Sequence, residues 1–364
     1  MAVVERFSFM KYGMAGLLFL TLLVGGGYLL IPWQAPAGSP GEAPVFVPPP
    51  GSTTPTAAAA RPSQTPAPTE TPAPTPPPTL TLTPTVEPVC GGPPSMTILV
   101  SGVASEGYLY GLADAVRVVR VDFQEPSLAV LALPRDLWVR IPGIADHGVR
   151  EGKLNQAYFY GTEGMGYYDG AGGGSGLLAM TLRDNFGLEV DHTLAVNLYA
   201  FRDIVDAMGG VDVYFSEPVY IKRFGEPKLY KKAGTRHLSG KEAEKVVRSR
   251  IGIGDLGRIQ NQTVVLKAAA AKMLSPASVK HLPAIVKSLI QKTQTDLSPA
   301  EIGKLICLAE KLDLQDDLRF QEFPNQLVSG VWIRDHHLGY TAYALTYDPQ
   351  EMRRFLEDFA DEQG

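Results

Sequence analysis

Proline is concentrated in one part of this 364-residue chain, and that part cannot fold as a globular domain. Of the 30 prolines, 20 lie between Pro32 and Pro94, which leaves 10 for all other positions. Because proline lacks a backbone donor and interrupts helices and central strands, we predict that residues 34–94 form a disordered stalk rich in Pro, Thr and Ala. The roughly 270 residues that follow can build one large domain or two small ones.

The segment before the stalk is apolar. Residues 14–32 carry no charged side chain, and a run of this length can cross a bilayer core of about 30 Å. Arg6 and Lys11 precede the run, and no Lys or Arg follows before Arg61, an asymmetry that is typical of an N-terminus in the cytoplasm. We therefore predict that residues 1–33 form a cytoplasmic N-terminus and a single transmembrane anchor in the cell membrane, with the main domain extracytoplasmic. A cleaved signal peptide is the alternative, because residues 35–37 loosely fit a cleavage site.

From Ser95 onward, strand-like and helix-like segments alternate. The apolar runs 115–122 and 128–133 flank a turn signal at residues 124–127, which predicts a β-hairpin. Ser239 and Glu242 have the spacing of a capping box at the start of a helix. The alternation predicts an α/β fold in which a mixed central sheet is sandwiched by helices. We assign residues 95–274 to the main domain and residues 275–364 to helices and a strand that either complete that domain or form an appendage.

Several functional classes are excluded. The formal net charge of −5 argues against a nucleic-acid binder. The sequence contains no GxSxG, HExxH or Walker motif. The glycine-rich segment 172–176 lacks the lysine of a phosphate loop, so we predict a flexible loop that leads into a helix at 177–186. The histidines show no metal-ligand spacing, and we expect His336 and His337 to lie on the surface.

Charged residues at strand and helix ends are the remaining candidates for chemistry. They are Asp114, Arg135, Arg248, Arg250, Asp255 and Arg258. Arg248 and Arg250 can converge only if their helix ends there, because residues two apart do not share a helical face. Asp255 and Arg258 are three apart and can meet. Several arginines beside a carboxylate that holds a hard cation suit the binding of a pyrophosphate.

At these residues the chain resembles the LytR–CpsA–Psr family, also called the cell envelope-related transcriptional attenuator domain. The resemblance covers residues 96–274. The matching segments are 97–102, 113–115, 133–136, 153–158, 209–213, 237–240, 248–250 and 255–258. The order of anchor, stalk and outer domain is also similar to that of the family.

The resemblance implies a membrane-anchored phosphotransferase that moves a glycopolymer from a polyprenyl-pyrophosphate carrier to peptidoglycan during cell-wall assembly, with magnesium as cofactor. It implies that Asp114 binds the metal. The residues implied to hold or face the phosphates are Arg135, Arg248, Arg250, Arg258 and Gln262, with Asp255 as an orienting or basic carboxylate. The cation and arginines would stabilise the phosphate charge while the acceptor hydroxyl attacks in line.

The carrier's polyprenyl tail would need an apolar tunnel between the sheet and the helices. The candidate lining residues are Leu178, Leu182, Val196, Ile204, Val265 and Ala269. For each of them ordinary core packing is the alternative.

Three positions depart from the family pattern. Ala104 stands where the family usually has an aspartate, and Leu112 and Asn261 stand where it has arginines. Glu106 is the nearby acid that could replace the missing metal ligand. These losses leave open a second function, a catalytically weakened module of the same fold that binds lipid or cell wall.

The chain has two cysteines, too few for a disulfide-built scaffold or a zinc cluster. Outside the cytoplasm, Cys90 and Cys307 could form one disulfide that ties together the two ends of the domain. Two unrelated thiols are the alternative.

Overall fold

The computed structural model describes residues 87–223, 226–251, 254–274, 292–313 and 316–361. The predicted anchor and residues 34–86 of the predicted stalk lie outside these ranges, so both stay predictions. Across the described ranges we find no helix with the length and apolar character needed to cross a membrane.

Within these ranges the chain forms seven α-helices and fourteen strands. The helices are α1 (Leu154–Tyr160), α2 (Gly173–Phe186), α3 (Leu198–Ala207), α4 (Gly240–Arg248), α5 (Gly254–Leu274), α6 (Pro299–Ala309) and α7 (Pro349–Asp361). The strands are β1 (Ser95–Val103), β2 (Ala113–Asp122), β3 (Ser127–Leu133), β4 (Trp138–Arg140), β5 (Glu151–Lys153), β6 (His192–Asn197), β7 (Val211–Phe215), β8 (Val219–Arg223), β9 (Glu226–Lys231), β10 (Gly234–Leu238), β11 (Thr293–Thr295), β12 (Leu318–Gln321), β13 (Val328–Asp335) and β14 (Tyr340–Tyr347).

The central sheet has six strands in the order β11–β6–β1–β2–β3–β12. β1, β2 and β3 are antiparallel neighbours, and the predicted hairpin is the β2–β3 pair. β6 runs parallel to β1 and β12 runs parallel to β3, whereas the edge strand β11 is antiparallel to β6. The sheet is therefore mixed.

Helices cover both faces of this sheet. Because side chains alternate along a strand, Leu99 and Val103 of β1 pack with α1, α2 and α7 on one face. Met96 and Ile98 point to the opposite face, where they pack with α6. A third core joins α3, α4 and α5 with β7 and β10. The prediction of an α/β fold with a mixed sheet between helices is confirmed.

The residues after α5 contribute to the same sheet. β11 and β12 are its two edge strands, and α6 packs on the core around Ile98. Cys90 and Cys307 form a disulfide between α6 and a 3-10 helix at Val89–Gly91, which lies inside the segment predicted as stalk. The disulfide and a hydrogen bond of 2.7 Å from Val89 N to Phe123 O fix this helix against the domain. The alternative of two unrelated thiols is wrong.

Two local predictions differ from the structure. The glycine-rich segment is the first turn of α2 and not a flexible loop. A Cβ at Gly174 would lie 2.7 Å from the Tyr158 carbonyl, so glycine lets α2 approach α1 closely. His337 is half-buried, because its ring packs edge-on against Tyr160 and Tyr167 at centroid distances of 5.4 and 5.9 Å. His336 is exposed, as expected.

Candidate functional site

Asp114 sits at a β-bulge near the start of β2. In the pairing of β1 with β2, Gly102 lies opposite Ala115 and Val103 lies opposite Ala113, which leaves Asp114 as the extra residue. A bulge changes the direction of a side chain relative to the regular alternation. Asp114 and Ala115 consequently both line the same cavity on the face of the sheet that α3 and α5 cover.

Arg135 reaches Asp114 from the end of β3. Its Nη1 donates a hydrogen bond to Asp114 Oδ1 in a close ion pair. The Arg135 side chain is 7% exposed and the Asp114 side chain is 25% exposed, so solvent screens this pair only partly. Asp136, the next residue, accepts a hydrogen bond of 2.9 Å from Lys153 Nζ and thereby stabilises the loop that carries Arg135.

Arg258 and Gln262 approach Asp114 from α5. They are four residues apart and therefore share one helical face. Arg258 Nη1 lies 4.0 Å from Asp114 Oδ2, and the Arg258 side chain is only 2% exposed. Gln262 Nε2 lies 3.5 Å from the carbonyl oxygen of Asp114 and 3.4 Å from that of Val247. The Asp114 carboxylate is thus shared by two buried guanidinium groups.

Next to this charged cluster lies a cavity of about 180 Å³ between the sheet and helices α3, α4 and α5. Its polar end is formed by Asp114, Arg248, Arg258 and Gln262. Most of the remaining wall is apolar: Val100, Val103, Leu194, Val196, Leu198, Phe201, Ile204, Val205, Met208, Val247, Leu266 and Ala269. An apolar cavity with a few convergent polar groups is the usual form of a site for an amphipathic ligand.

The structure supports half of the predicted tunnel lining. Val196, Ile204 and Ala269 line the cavity. Leu178 and Leu182 do not, because α2 packs on the opposite face of the sheet. Val265 lies in the core shared by α3, α4 and α5 and is also absent from the cavity wall.

The predicted arginines are only partly brought together. The helix α4 ends at Arg248, as expected, and Ser249 continues in an extended conformation. Arg248 lines the cavity, and its Nη1 donates to Glu244 Oε1 at 2.8 Å, with a side chain that is 53% exposed. Arg250 is exposed and does not line the cavity. The side chain of Asp255 lies outside the described part of the structure.

Among the described residues that line the cavity, one has a carboxylate that could hold a metal ion, Asp114. The described residues contain no group of three or more His, Cys, Asp or Glu side chains that could hold a metal. Ala104 lines the cavity where the resemblance implies an aspartate. Glu106 does not line the cavity, and its Oε1 accepts a hydrogen bond of 2.9 Å from Arg202. Since Mg²⁺ is commonly held by one or two carboxylates plus substrate phosphates and water, Asp114 alone fits such an ion only together with a phosphate ligand.

The pKa of Glu106 agrees with its pairing to Arg202. The hydrogen bond from Arg202 lowers it below the ordinary value, and a hydrogen bond with Tyr199 acts in the same direction. Glu106 is therefore an ionised partner of Arg202. The sequence left open whether Glu106 replaces the missing metal ligand, and its pairing with Arg202 away from the cavity does not support that role.

Sequence reasoning missed one charged residue of the cavity, Arg117. It lies in the valine-rich run of β2, two residues after Ala115 and on the same face, and it is 5% exposed. Burial lowers its pKa to about 10. The signal that could have identified it is the strand periodicity of two, which places it on the face of Ala115.

The fold and the site together define a class of protein: an α/β domain with buried arginines around a carboxylate at the polar end of an apolar cavity. Residues 90–353 match the LytR_cpsA_psr family, and the chain belongs to this family. The resemblance predicted from the sequence is confirmed.

Two bacterial transferases are similar to this chain. The polyisoprenyl-teichoic acid–peptidoglycan teichoic acid transferase TagU of Oceanobacillus iheyensis is 28% identical over 242 residues, which cover 65% of this chain and 70% of that protein. The corresponding transferase TagT of Bacillus subtilis is 31% identical over 215 residues, which cover 57% of this chain and 62% of that protein.

Solved structures share the fold. The crystal structure of Bacillus subtilis TagV superposes with a TM-score of 0.56 and covers 74% of this chain and 98% of its own. The sequence identity in that comparison is 21%, so the likeness concerns the fold alone.

Proposed function

We propose that this chain is a phosphotransferase that transfers a glycopolymer of the teichoic acid type from a polyprenyl-pyrophosphate carrier to peptidoglycan in cell-wall assembly. The observation that carries this proposal is the Asp114 carboxylate held by Arg135 and Arg258 at the polar end of an apolar cavity. The transferase names of two relatives of the same family support the substrate class.

The two ends of the cavity bind different parts of the donor. The apolar wall formed by α3, α5 and β6 takes the first part of the prenyl chain and excludes water from it. Arg135, Arg258 and Arg248 bind the pyrophosphate oxygens, since guanidinium groups form paired hydrogen bonds with phosphates. Gln262 orients the Asp114 backbone and adds a neutral donor next to the phosphates.

The chemical step is a displacement at the phosphorus atom that carries the polymer. An acceptor hydroxyl of peptidoglycan attacks this phosphorus, and a new P–O bond forms as the bond to the bridging oxygen breaks. Polyprenyl monophosphate leaves, and the hydroxyl proton is released. The buried arginines stabilise the negative charge that builds up on the leaving phosphate.

We further propose that magnesium takes part, with Asp114 as its protein ligand. Bound Mg²⁺ would neutralise phosphate charge during the transfer. Asp114 would hold the ion, and Arg135 and Arg258 beside it would bind the phosphate oxygens.

We propose that the domain works outside the cytoplasm and is tethered to the cell membrane by the anchor predicted at residues 14–32. The Cys90–Cys307 disulfide supports this location, because disulfides persist in oxidising compartments. The membrane would supply the lipid-linked donor and the wall would supply the acceptor.

Transfer of a lipid-linked teichoic acid to peptidoglycan by the full-length chain with Mg²⁺ tests the proposal. Arg258→Ala and Arg135→Ala should each reduce the rate by at least about 100-fold, the usual loss when a transition-state donor is removed. Arg140→Ala is the matched control, because Arg140 is exposed on β4 and away from the cavity, and it should transfer at the wild-type rate.

The second candidate function is a module of the same fold that binds lipid or cell wall without turnover. The observation that favours it is Ala104 at the cavity wall together with the engagement of Glu106 by Arg202. Wild-type protein that binds polyprenyl pyrophosphate but transfers no polymer with any divalent metal would replace the transferase proposal with this one.

A further inference from the structure

Arg117 is a buried cation in the wall of the cavity. Its Cα lies opposite Val100 of β1 and Ala132 of β3, so it stands in the middle of the sheet. It shares the cavity wall with Val100 and Ala115 and is 5% exposed. A guanidinium group in such a place is costly unless an anion compensates its charge.

Within the described part of the chain, the hydrogen bond that Arg117 makes is with a neutral group. Its Nη2 donates to Thr263 Oγ1 at 3.3 Å, and the same hydroxyl donates to the carbonyl of Ile259 at 2.9 Å. A guanidinium group has five N–H donors, and a hydroxyl does not neutralise its charge. Burial is the cause that lowers the Arg117 pKa to about 10, and the group remains protonated near neutral pH.

The other buried arginines among the described residues, Arg135 and Arg258, both contact Asp114. Arg120, on the same strand as Arg117 but only partly buried, lies 3.6 Å from Asp122. Arg117 lines the cavity as Arg258 does, but its hydrogen-bond partner within the described residues is the Thr263 hydroxyl and not a carboxylate, so a ligand in the cavity can bring the missing negative charge.

The depth of Arg117 in the cavity indicates which part of a ligand it meets. The helix α5 runs along the cavity from Arg258 at the polar end, through Gln262, to Leu266 and Ala269 at the apolar end. Thr263 is five residues after Arg258, about 7.5 Å along the helix axis. The guanidinium that binds Thr263 therefore lies where the polar wall changes to the apolar wall.

In a prenyl pyrophosphate the group at this boundary is the phosphate that is esterified to the prenyl chain. We propose that Arg117 binds that phosphate and is a further substrate-binding residue, one that selects phosphorylated prenyl lipids over neutral ones. The proposal rests on the function proposed above. In this assignment Arg135, Arg248 and Arg258 bind the phosphate that carries the polymer. Arg117 stays in contact with the prenyl monophosphate, which is the leaving group.

Binding of three soluble probes to the full-length chain in detergent tests this assignment. The probes are farnesyl pyrophosphate, farnesyl monophosphate and farnesol, and calorimetric titration gives their affinities. Arg117→Met removes the charge but keeps an unbranched apolar side chain. We expect it to bind both phosphorylated probes about 10- to 100-fold more weakly, the usual range for hydrogen bonds to charged groups, and farnesol as the wild type does.

Arg120→Met is the matched control. It removes one arginine from the same strand, but Arg120 pairs with Asp122 and does not line the cavity. We expect wild-type affinity for all three probes. Equal weakening of all three by Arg117→Met, or no weakening of the phosphorylated probes, would overturn the assignment.

The stability of the ligand-free protein gives a second readout that a structural arginine would not produce. Because Arg117→Met removes a desolvated charge, we expect an unchanged or higher midpoint of thermal unfolding together with weaker phosphate binding. Should this variant not fold, Arg117→Lys retains the charge and should still prefer farnesyl monophosphate to farnesol. A folded lysine variant without that preference would contradict the assignment.

The same titrations distinguish a failure of the Arg117 assignment from a failure of the proposed transferase function. If the wild type binds neither phosphorylated probe, the transferase proposal fails and the Arg117 assignment fails with it. If the wild type binds both and Arg117→Met binds them equally well, the Arg117 assignment alone fails.

Discussion

Removal of the Cys90–Cys307 disulfide should destabilise the domain strongly. The two cysteines are 217 positions apart, so the bond closes a very long loop in the unfolded chain. The chain-entropy relation for a loop of this length gives about 5 kcal/mol at 25 °C, at the top of the range observed for native disulfides. In the folded state the bond holds the Val89–Gly91 helix against α6, next to the core that contains Met96 and Ile98.

Equilibrium unfolding in urea measures this loss. The Cys90→Ala/Cys307→Ala variant of the full-length chain should unfold at a urea midpoint lower by about 2 M, for an m-value near 3 kcal/mol/M. Wild-type protein treated with a reductant is the control and should show a similar shift. A loss of stability below about 1 kcal/mol, or two titratable thiols in the non-reduced wild type, would refute the reasoning.

Three further predictions concern the site. Asp114→Asn removes the carboxylate that Arg135 and Arg258 share, and we expect a stability loss of about 3 kcal/mol in urea unfolding, since breaking a buried ion pair is costly. Glu106→Gln should leave the Mg²⁺ dependence of transfer unchanged, because Glu106 is engaged by Arg202; a markedly weaker Mg²⁺ response would place it at the metal. Ala269→Phe should fill the apolar end of the cavity and reduce the amount of prenyl lipid that co-purifies, as measured by mass spectrometry; unchanged lipid content would argue against that end as the lipid site.

Local patterns predicted much of the fold. The Ser239–Glu242 capping box is present at the start of α4, with Ser239 N donating to Glu242 Oε2 at 3.0 Å. The turn at residues 124–127 joins β2 and β3 as expected. These features depend on residues close together in the chain, so the sequence alone determines them.

The parts of the site that sequence reasoning missed depend on long-range packing. The bulge at Asp114 is a property of the pairing between β1 and β2, and neither strand reveals it alone. Leu178 and Leu182 have a helical apolar spacing, but that spacing does not determine which face of the sheet α2 covers. Arg117 was missed because it lies among valines, and a run rich in valine predicts a buried strand without indicating which of its charged residues faces a cavity.

The partners of the arginines at the cavity determine what a phosphate must displace in order to bind them. Asp114 compensates the charge of Arg135 and Arg258 in a largely buried site. A pyrophosphate that binds these arginines must share or displace the carboxylate, so the affinity reflects a difference between two kinds of charged contact. Arg117 contacts a neutral hydroxyl instead, and a phosphate that reaches it replaces no carboxylate within the described residues. In the assignment that we propose, a phosphate contact at Arg117 would add to affinity without that cost, and the bound phosphate would offset the unfavourable burial of the arginine charge.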